Sequence, residues 1–134
     1  MTPVFADTSY YVALINPADE QHAKAIEWSR PVHQPLIVTE FVLMELANFL
    51  AETPARKMFT VLLPRLREDE FVEIIPASSS LFSDGFELYA GRNDKAWSLT
   101  DCTSFVSMRN RAIVDALTSD HHFEQAGFKA LLRD

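Results

Sequence analysis

Asp7, Glu45, Asp101 and Asp120 are the residues whose type and spacing best suit chemistry in this chain. Asp7 ends the apolar run PVFA, and Asp120 follows AIVDAL with two residues between. Asp101 lies in the first turn of a segment opened by Ser98. Glu45 sits inside EFVLMELANFL, flanked by Val42, Leu43, Met44, Leu46 and Phe49. An ionised carboxylate loses its water at large cost and is almost never buried alone. Glu45 therefore either faces solvent on a stripe continued by Glu52 or meets something positive inside. Each of the others also has a purely structural reading. Asp7 and Asp120 can cap helices, and Asp101 follows Ser98 at capping-box spacing, where a first-turn acid also suits the helix dipole.

Taken jointly, carboxylates in one cleft repel, and their pKa values rise unless a cation relieves them. Oxygen-only ligation by Asp and Glu suits Mg2+ or Mn2+. Such an ion keeps waters, so it can hold phosphate oxygens and present a nucleophilic water together. Other chemistries fit worse. Gly85, Gly91 and Gly127 are scattered and form no phosphate-cradling loop. Asp7-Thr8-Ser9 lacks the second aspartate of an aspartyl-phosphate hydrolase, and the first strand lacks the acidic pair of a receiver domain. His121-His122 has no companion ligands at zinc spacing and reads as surface or pocket rim. His22 and His33 carry no signal, and Cys102 reads as a packed small side chain.

The elements that must position these acids follow from periodicity. Strands are expected at 3–6, 36–38, 71–75, 112–117 and 128–132. Between them, a helix starts near Thr8 or Ser9 and stops at Asn16-Pro17, and a second spans 18–30, amphipathic through Ala23, Ile26 and Trp28. Pro31 and Pro35 bracket a loop, and Thr39 caps the helix carrying Glu45. Further helices cover 55–69 with a kink or break at Pro64, 78–91 with Gly85 inside, 98–111 and 119–127. Strands alternating with helices argue for one domain over residues 1–134: α/β, a single α/β/α sandwich on a central parallel sheet of about five strands. Ligands of such sheets gather outside the carboxyl ends of the strands, where all four acids are expected.

An apolar content of 48% in 134 residues fills one core, and plentiful aromatics with no low-complexity tract argue against disorder. No stretch approaches the roughly 20 apolar residues of a membrane helix. A lone cysteine and no secretion signal suggest a reducing cytoplasm. The net charge of −7 is adverse for a simple nucleic-acid binder, though an acidic centre holding a cation is compatible with such a substrate.

FADTSYYVAL, TEFVLMELANFL, WSLTDCTSFVSM and ALTSDHHFEQAGF, in this order, resemble the PIN domain family, especially VapC-like toxin ribonucleases of type II toxin–antitoxin pairs. The likeness covers almost the whole chain. It implies Mg2+- or Mn2+-dependent hydrolysis of RNA phosphodiesters, with Asp7, Glu45 and Asp101 as direct or water-mediated ligands and Asp120 positioning metal or water. Asp115, the competitor for the fourth place, falls within a strand. Ser104 stands where the family often supplies a hydroxyl, and Thr8 offers one beside Asp7, with capping or packing as the plainer reading of both. Arg92, Lys95, Arg109 and Arg111 bracket the Asp101 helix and are the candidates for gripping RNA phosphates, against solvated surface charge. Trp97 reads as core rather than as a stacking platform. The resemblance also implies a homodimer and a cognate antitoxin, for which exposed apolar residues at 57–66 are candidates. The rival readings are a catalytically inactive PIN-fold module binding RNA or protein, and an α/β hydrolase of small phosphoesters.

Overall fold

The computed structural model describes residues 2–30 and 34–133; Pro31, His33 and most of the loop expected at 31–35 lie outside these. The chain begins with β1 (Val4–Ala6), α1 (Thr8–Ile15), α2 (His22–Ser29) and β2 (Leu36–Thr39). It continues through α3 (Glu40–Leu50), α4 (Arg56–Glu68), β3 (Val72–Ile75), α5 (Ser79–Gly91) and α6 (Leu99–Asn110). β4 (Asp115–Leu117), α7 (His121–Gln125) and β5 (Lys129–Ala130) close it. All pairings are parallel, in the order β3-β2-β1-β4-β5. Phe5 stands in register with Ile37 on one side and Ala116 on the other. In this α/β/α sandwich α1 packs on α2 and α3, and α6 packs on α5, α7 and α3. The strand order reverses between β1 and β4, so the fold's switch point is the gap beyond Ala6 and Leu117.

The local signals explain most boundaries. Thr39 Oγ1 accepts the Val42 N–H at 3.1 Å and starts α3, which buries Val42, Leu43, Leu46 and Leu50. The strand expected at 112–117 is shorter, because α6 ends in a Schellman turn. The Ile113 N–H reaches the Met108 carbonyl at 2.9 Å, and Ala112 takes the left-handed conformation (φ 54°). α4 runs through Pro64 without a break. α2 begins only at His22, since Asn16 and Asp19 side chains cap turns over 16–21. Its buried residue is Ala25, whereas Ala23, Ile26 and Trp28 are exposed. α2 packs against α1, and the small Ala25 is the residue it buries, while Trp28 borders a groove beside Tyr10 and Leu14 of α1.

α5 and α6 approach closely at Gly85. A Cβ there would stand 2.6 Å from Thr103 Cγ2 and 3.2 Å from the Thr103 backbone nitrogen. Gly85→Ala will therefore destabilise the fold by about 1–3 kcal/mol, the usual cost of overpacking. Thr103→Ser in that background will recover part of the loss by removing Cγ2. Urea midpoints decide the point, and an unchanged midpoint for Gly85→Ala would contradict it.

Candidate active site

Asp7, Glu45, Asp101 and Asp120 line one cleft of about 360 Å³ together with Thr8, Ser9, Val12, Asp19 and Phe49. The cleft lies at the switch point. Asp7 follows β1 directly, and its backbone N–H donates to the Leu117 carbonyl at 3.2 Å, which draws the end of β4 against it. Thr118 thereby arrives beside the Asp7 carboxylate. Its hydroxyl donates to Asp7 Oδ2 at 2.8 Å, and Ser9 Oγ stands 3.0 Å from the same oxygen. Asp7 occupies the N-cap position of α1, yet its side chain makes no capping bond.

Asp101 and Asp120 do cap, each with one oxygen. Asp101 Oδ2 accepts the Ser98 N–H at 3.1 Å, and Ser98 Oγ accepts the Asp101 N–H at 3.0 Å, a complete capping box. Asp120 Oδ1 accepts the His122 N–H at 2.9 Å as the N-cap of α7. Glu45, half-buried, accepts the Thr8 hydroxyl on Oε1 at 2.5 Å. Thus the side-chain partners of Asp7 and Glu45 and the caps of Asp101 and Asp120 each fall on one oxygen. Among the described residues the second oxygen of each acid has no side-chain or capping partner and can take another ligand. Capping and site chemistry are not alternatives here.

The electrostatics favour a cation. Burial pushes the Asp7 carboxyl up to about 7, with the Asp101 charge adding to the rise and the Thr118 and Ser9 hydroxyls opposing it. Burial also raises Asp101, as does the charge of Asp120, against the Ser98 N–H and His122. Acids held near one another and partly dried are costly to ionise, and a divalent cation reverses that cost. The donors are hard oxygens, which suits Mg2+ or Mn2+.

The remaining residues divide. Thr8 lines the cleft, whereas Ser104 is fully buried, and its hydroxyl has no partner among the described residues. Asp115 begins β4, at the amino end of the strand, whereas Asp120 lies beyond its carboxyl end. Trp97 is core, its indole N–H donating to Gln125 at 3.0 Å and its ring meeting Phe105. Arg92, Lys95, Arg109 and Arg111 do not line the cleft. Arg92 and Lys95 lie in the connection into α6, near its Asp101 end; Arg92 pairs with Asp94 and stacks over Trp97. Arg109 and Arg111 lie at the far end of α6, about 12–15 Å along the axis from Asp101. Arg111 there makes a bidentate pair with Glu73 at 2.6 and 2.7 Å. The Asp101 helix is bracketed in sequence by these four residues, but its length separates them in space.

Sequence reasoning missed Asp19, Thr118 and the role of His122. Asp19 reads locally as a turn residue, its carboxylate accepting the Gln21 N–H at 2.8 Å. Thr118 bonds a partner 111 residues away, which no local pattern announces. Thr118→Val will remove a hydrogen bond to a charged group, a contact of about 1.5–3 kcal/mol. Asp7 will then titrate still higher, and Mn2+ binding at pH 7 will weaken about tenfold with its pH dependence moved upward. Calorimetric titration at several pH values measures this; identical curves would remove Thr118 from the site.

A parallel sheet of this order with acids at its switch point is the architecture of a PIN domain. The chain belongs to the PIN domain family, whose pattern matches residues 4–129. The 23S rRNA-specific endonuclease VapC20 of Mycobacterium tuberculosis is 30% identical over 128 residues, spanning 93% of this chain and 95% of that protein. The crystal structure of VapC20, described as a sarcin–ricin loop cleaving toxin, superposes with a TM-score of 0.82 at 26% identity, again over 93% and 95% of the two chains. FitAcB from Neisseria gonorrhoeae matches with a TM-score of 0.63 at 18% identity over 95% of each chain. VapBC2 from Rickettsia felis, bound to a promoter DNA fragment, matches at 0.66 and 14% over 96% of each. The last two likenesses concern the fold alone.

Proposed function

We propose that this chain is a divalent-cation-dependent endoribonuclease, the toxin half of a toxin–antitoxin pair. The observation that carries the reading is the convergence of Asp7, Glu45, Asp101 and Asp120 on one cleft in a relative of an RNA-cleaving toxin. Asp7, Glu45 and Asp101 would hold Mg2+ or Mn2+, with Asp120 adjoining. The ion would supply an activated water for in-line attack on phosphorus and offset the charge that develops on the phosphate.

The chain's own residues prepare that chemistry. Thr118 and Ser9 fix the Asp7 carboxylate, and Thr8 fixes Glu45. Phe49, 53% exposed on the cleft, offers an apolar face to a nucleotide. Of the four cations singled out in the sequence, Arg92 and Lys95, in the connection that leads into the Asp101 end of α6, are the ones this reading assigns to flanking phosphates. Arg109 and Arg111 lie outside this proposal, being at the wrong end of α6. The relative's name directs the substrate toward structured ribosomal RNA. A cognate antitoxin and a homodimer belong to the same reading. Met58 and Val61, exposed on α4, and Ile26 and Trp28, exposed on α2, are apolar residues available to such partners. Among the described residues no helix is long and apolar enough to cross a membrane.

The test is cleavage of a 23S rRNA fragment with Mg2+, with Mn2+ and with EDTA. Cleavage is expected with either ion and not with EDTA. Cleavage that survives EDTA would remove the metal-dependent reading. RNA binding without cleavage in both ions would instead identify an inactive binding module.

A further inference from the structure

His122 stands between two of the cleft's acids without lining the cleft itself. Its Nδ1 is 3.2 Å from Asp101 Oδ2 and 3.3 Å from Asp120 Oδ1. The ring is well covered, its side chain 19% exposed. Ionised carboxylates only accept hydrogen bonds, so Nδ1 carries the hydrogen in the neutral as well as the charged ring. The same residue's backbone N–H donates to Asp120 Oδ1 at 2.9 Å, so residue 122 holds one oxygen of each acid, Asp101 by its ring and Asp120 by its backbone.

We propose that His122 is a positioning residue that ties Asp101 to Asp120, its ring Nδ1–H donating to Asp101 and its backbone N–H to Asp120, and so sets the separation at which both carboxylates can serve one divalent centre. The two acids come from different helices and repel each other, as the effect of Asp120 on Asp101 shows. Two N–H groups of one residue oppose the repulsion. They engage the oxygens that already serve as caps, Oδ2 of Asp101 and Oδ1 of Asp120, and leave the other oxygen of each for the ion. The ring's height is set by its neighbour Phe123, fully buried and packed edge-on against Phe105 of α6 at 4.9 Å. His122 thus closes the α6–α7 junction at the cleft, and Phe123 closes it in the core. Orientation of metal-binding carboxylates by such outer partners governs affinity in many sites. This inference rests on the divalent-ion reading of the cleft.

The arrangement has a rival. Donor atoms of Asp120, His121 and His122 all lie within 4.8 Å of one another, so they could themselves hold an imidazole-seeking ion. The two roles separate by substitution. Asn places an N–H near the position of Nδ1, whereas Gln mimics Nε2. Mn2+ binding to the whole chain is measured by calorimetry and by the electron paramagnetic resonance of free Mn2+, with folding checked by circular dichroism. His122→Leu will weaken binding about 10- to 100-fold. His122→Asn will restore most of it, and His122→Gln will not. Binding by the Leu variant equal to the wild type overturns the bridge, as does rescue by Gln in place of Asn. If the wild type binds no Mn2+, the reading of the cleft falls and the bridge falls with it; if only the variant pattern fails, the cleft reading survives.

Discussion

Asp7→Asn will abolish RNA cleavage and, in the absence of divalent ions, make the protein more stable. The first effect follows from removing a charged ligand at the centre of the acid set, for which a loss of at least a hundredfold is expected. The second follows from burial. The Asp7 carboxyl titrates near 7 in the fold, against 3.8 when unperturbed. Between those values the folded state keeps a proton that the unfolded chain has lost, so stability declines as pH rises across this window and levels off above it. Each pKa step corresponds to about 1.4 kcal/mol, so the ionised form costs on the order of 4 kcal/mol at pH 8. Asparagine is neutral throughout and still accepts from Ser9 and Thr118. The variant's advantage will therefore grow from pH 5 to pH 8 and reach roughly 2–4 kcal/mol in EDTA. Saturating Mn2+ will shrink it by stabilising only the wild type. Urea titrations at both pH values, with and without Mn2+, give the four numbers required. A variant less stable than wild type in EDTA at pH 8 would show that Asp7 is held by the fold rather than merely tolerated by it.

Phe105→Ala carries the second large effect, and here the loss is structural. Phe105 is fully buried on α6, four residues after Asp101. Its ring meets Trp97 at 5.0 Å, Phe123 at 4.9 Å and Phe128 at 5.7 Å between centroids. It therefore joins the loop before α6, α7 and the start of β5 into one aromatic cluster. Truncation leaves a cavity among large rings that cannot collapse onto it, and a cost of about 3–5 kcal/mol is expected. That is a large share of the roughly 5–15 kcal/mol that stabilises an ordinary domain. Phe105→Leu, which keeps most of the volume, will cost much less. Denaturant midpoints read both. Because α6 carries Asp101 and α7 carries Asp120, Phe105→Ala will also weaken Mn2+ binding, whereas Phe82→Ala, at an exposed position on α5, will not. Equal midpoints for the Ala variant and the wild type would mean that the cluster contributes little.

The sheet was legible because its signals are local. Short β-branched runs, helices opened by Thr39 and Ser98, and an alternation of the two leave few topologies for a chain of this length. Their limits were local too: Ala112 shortened β4 through a Schellman turn, and the face of α2 depended on what α1 presented to it. The acids were legible as types, since a carboxylate ends β1 and another interrupts an apolar helix.

The sequence by itself thus determined the strand–helix order, the caps and which acidic residues meet in the cleft. The first two depend on bonds and periodicities reaching only a few residues along the chain, and the third on the acids' places beyond the strands. Only the tertiary structure decided which other groups join them. It set Thr118 against Asp7, Thr8 against Glu45, and His122 between Asp101 and Asp120, and it carried Arg109 and Arg111 away from the cleft. The physical reason is that convergence comes from the reversal of strand order between β1 and β4. That reversal is a choice made by packing the whole core rather than by any segment of it.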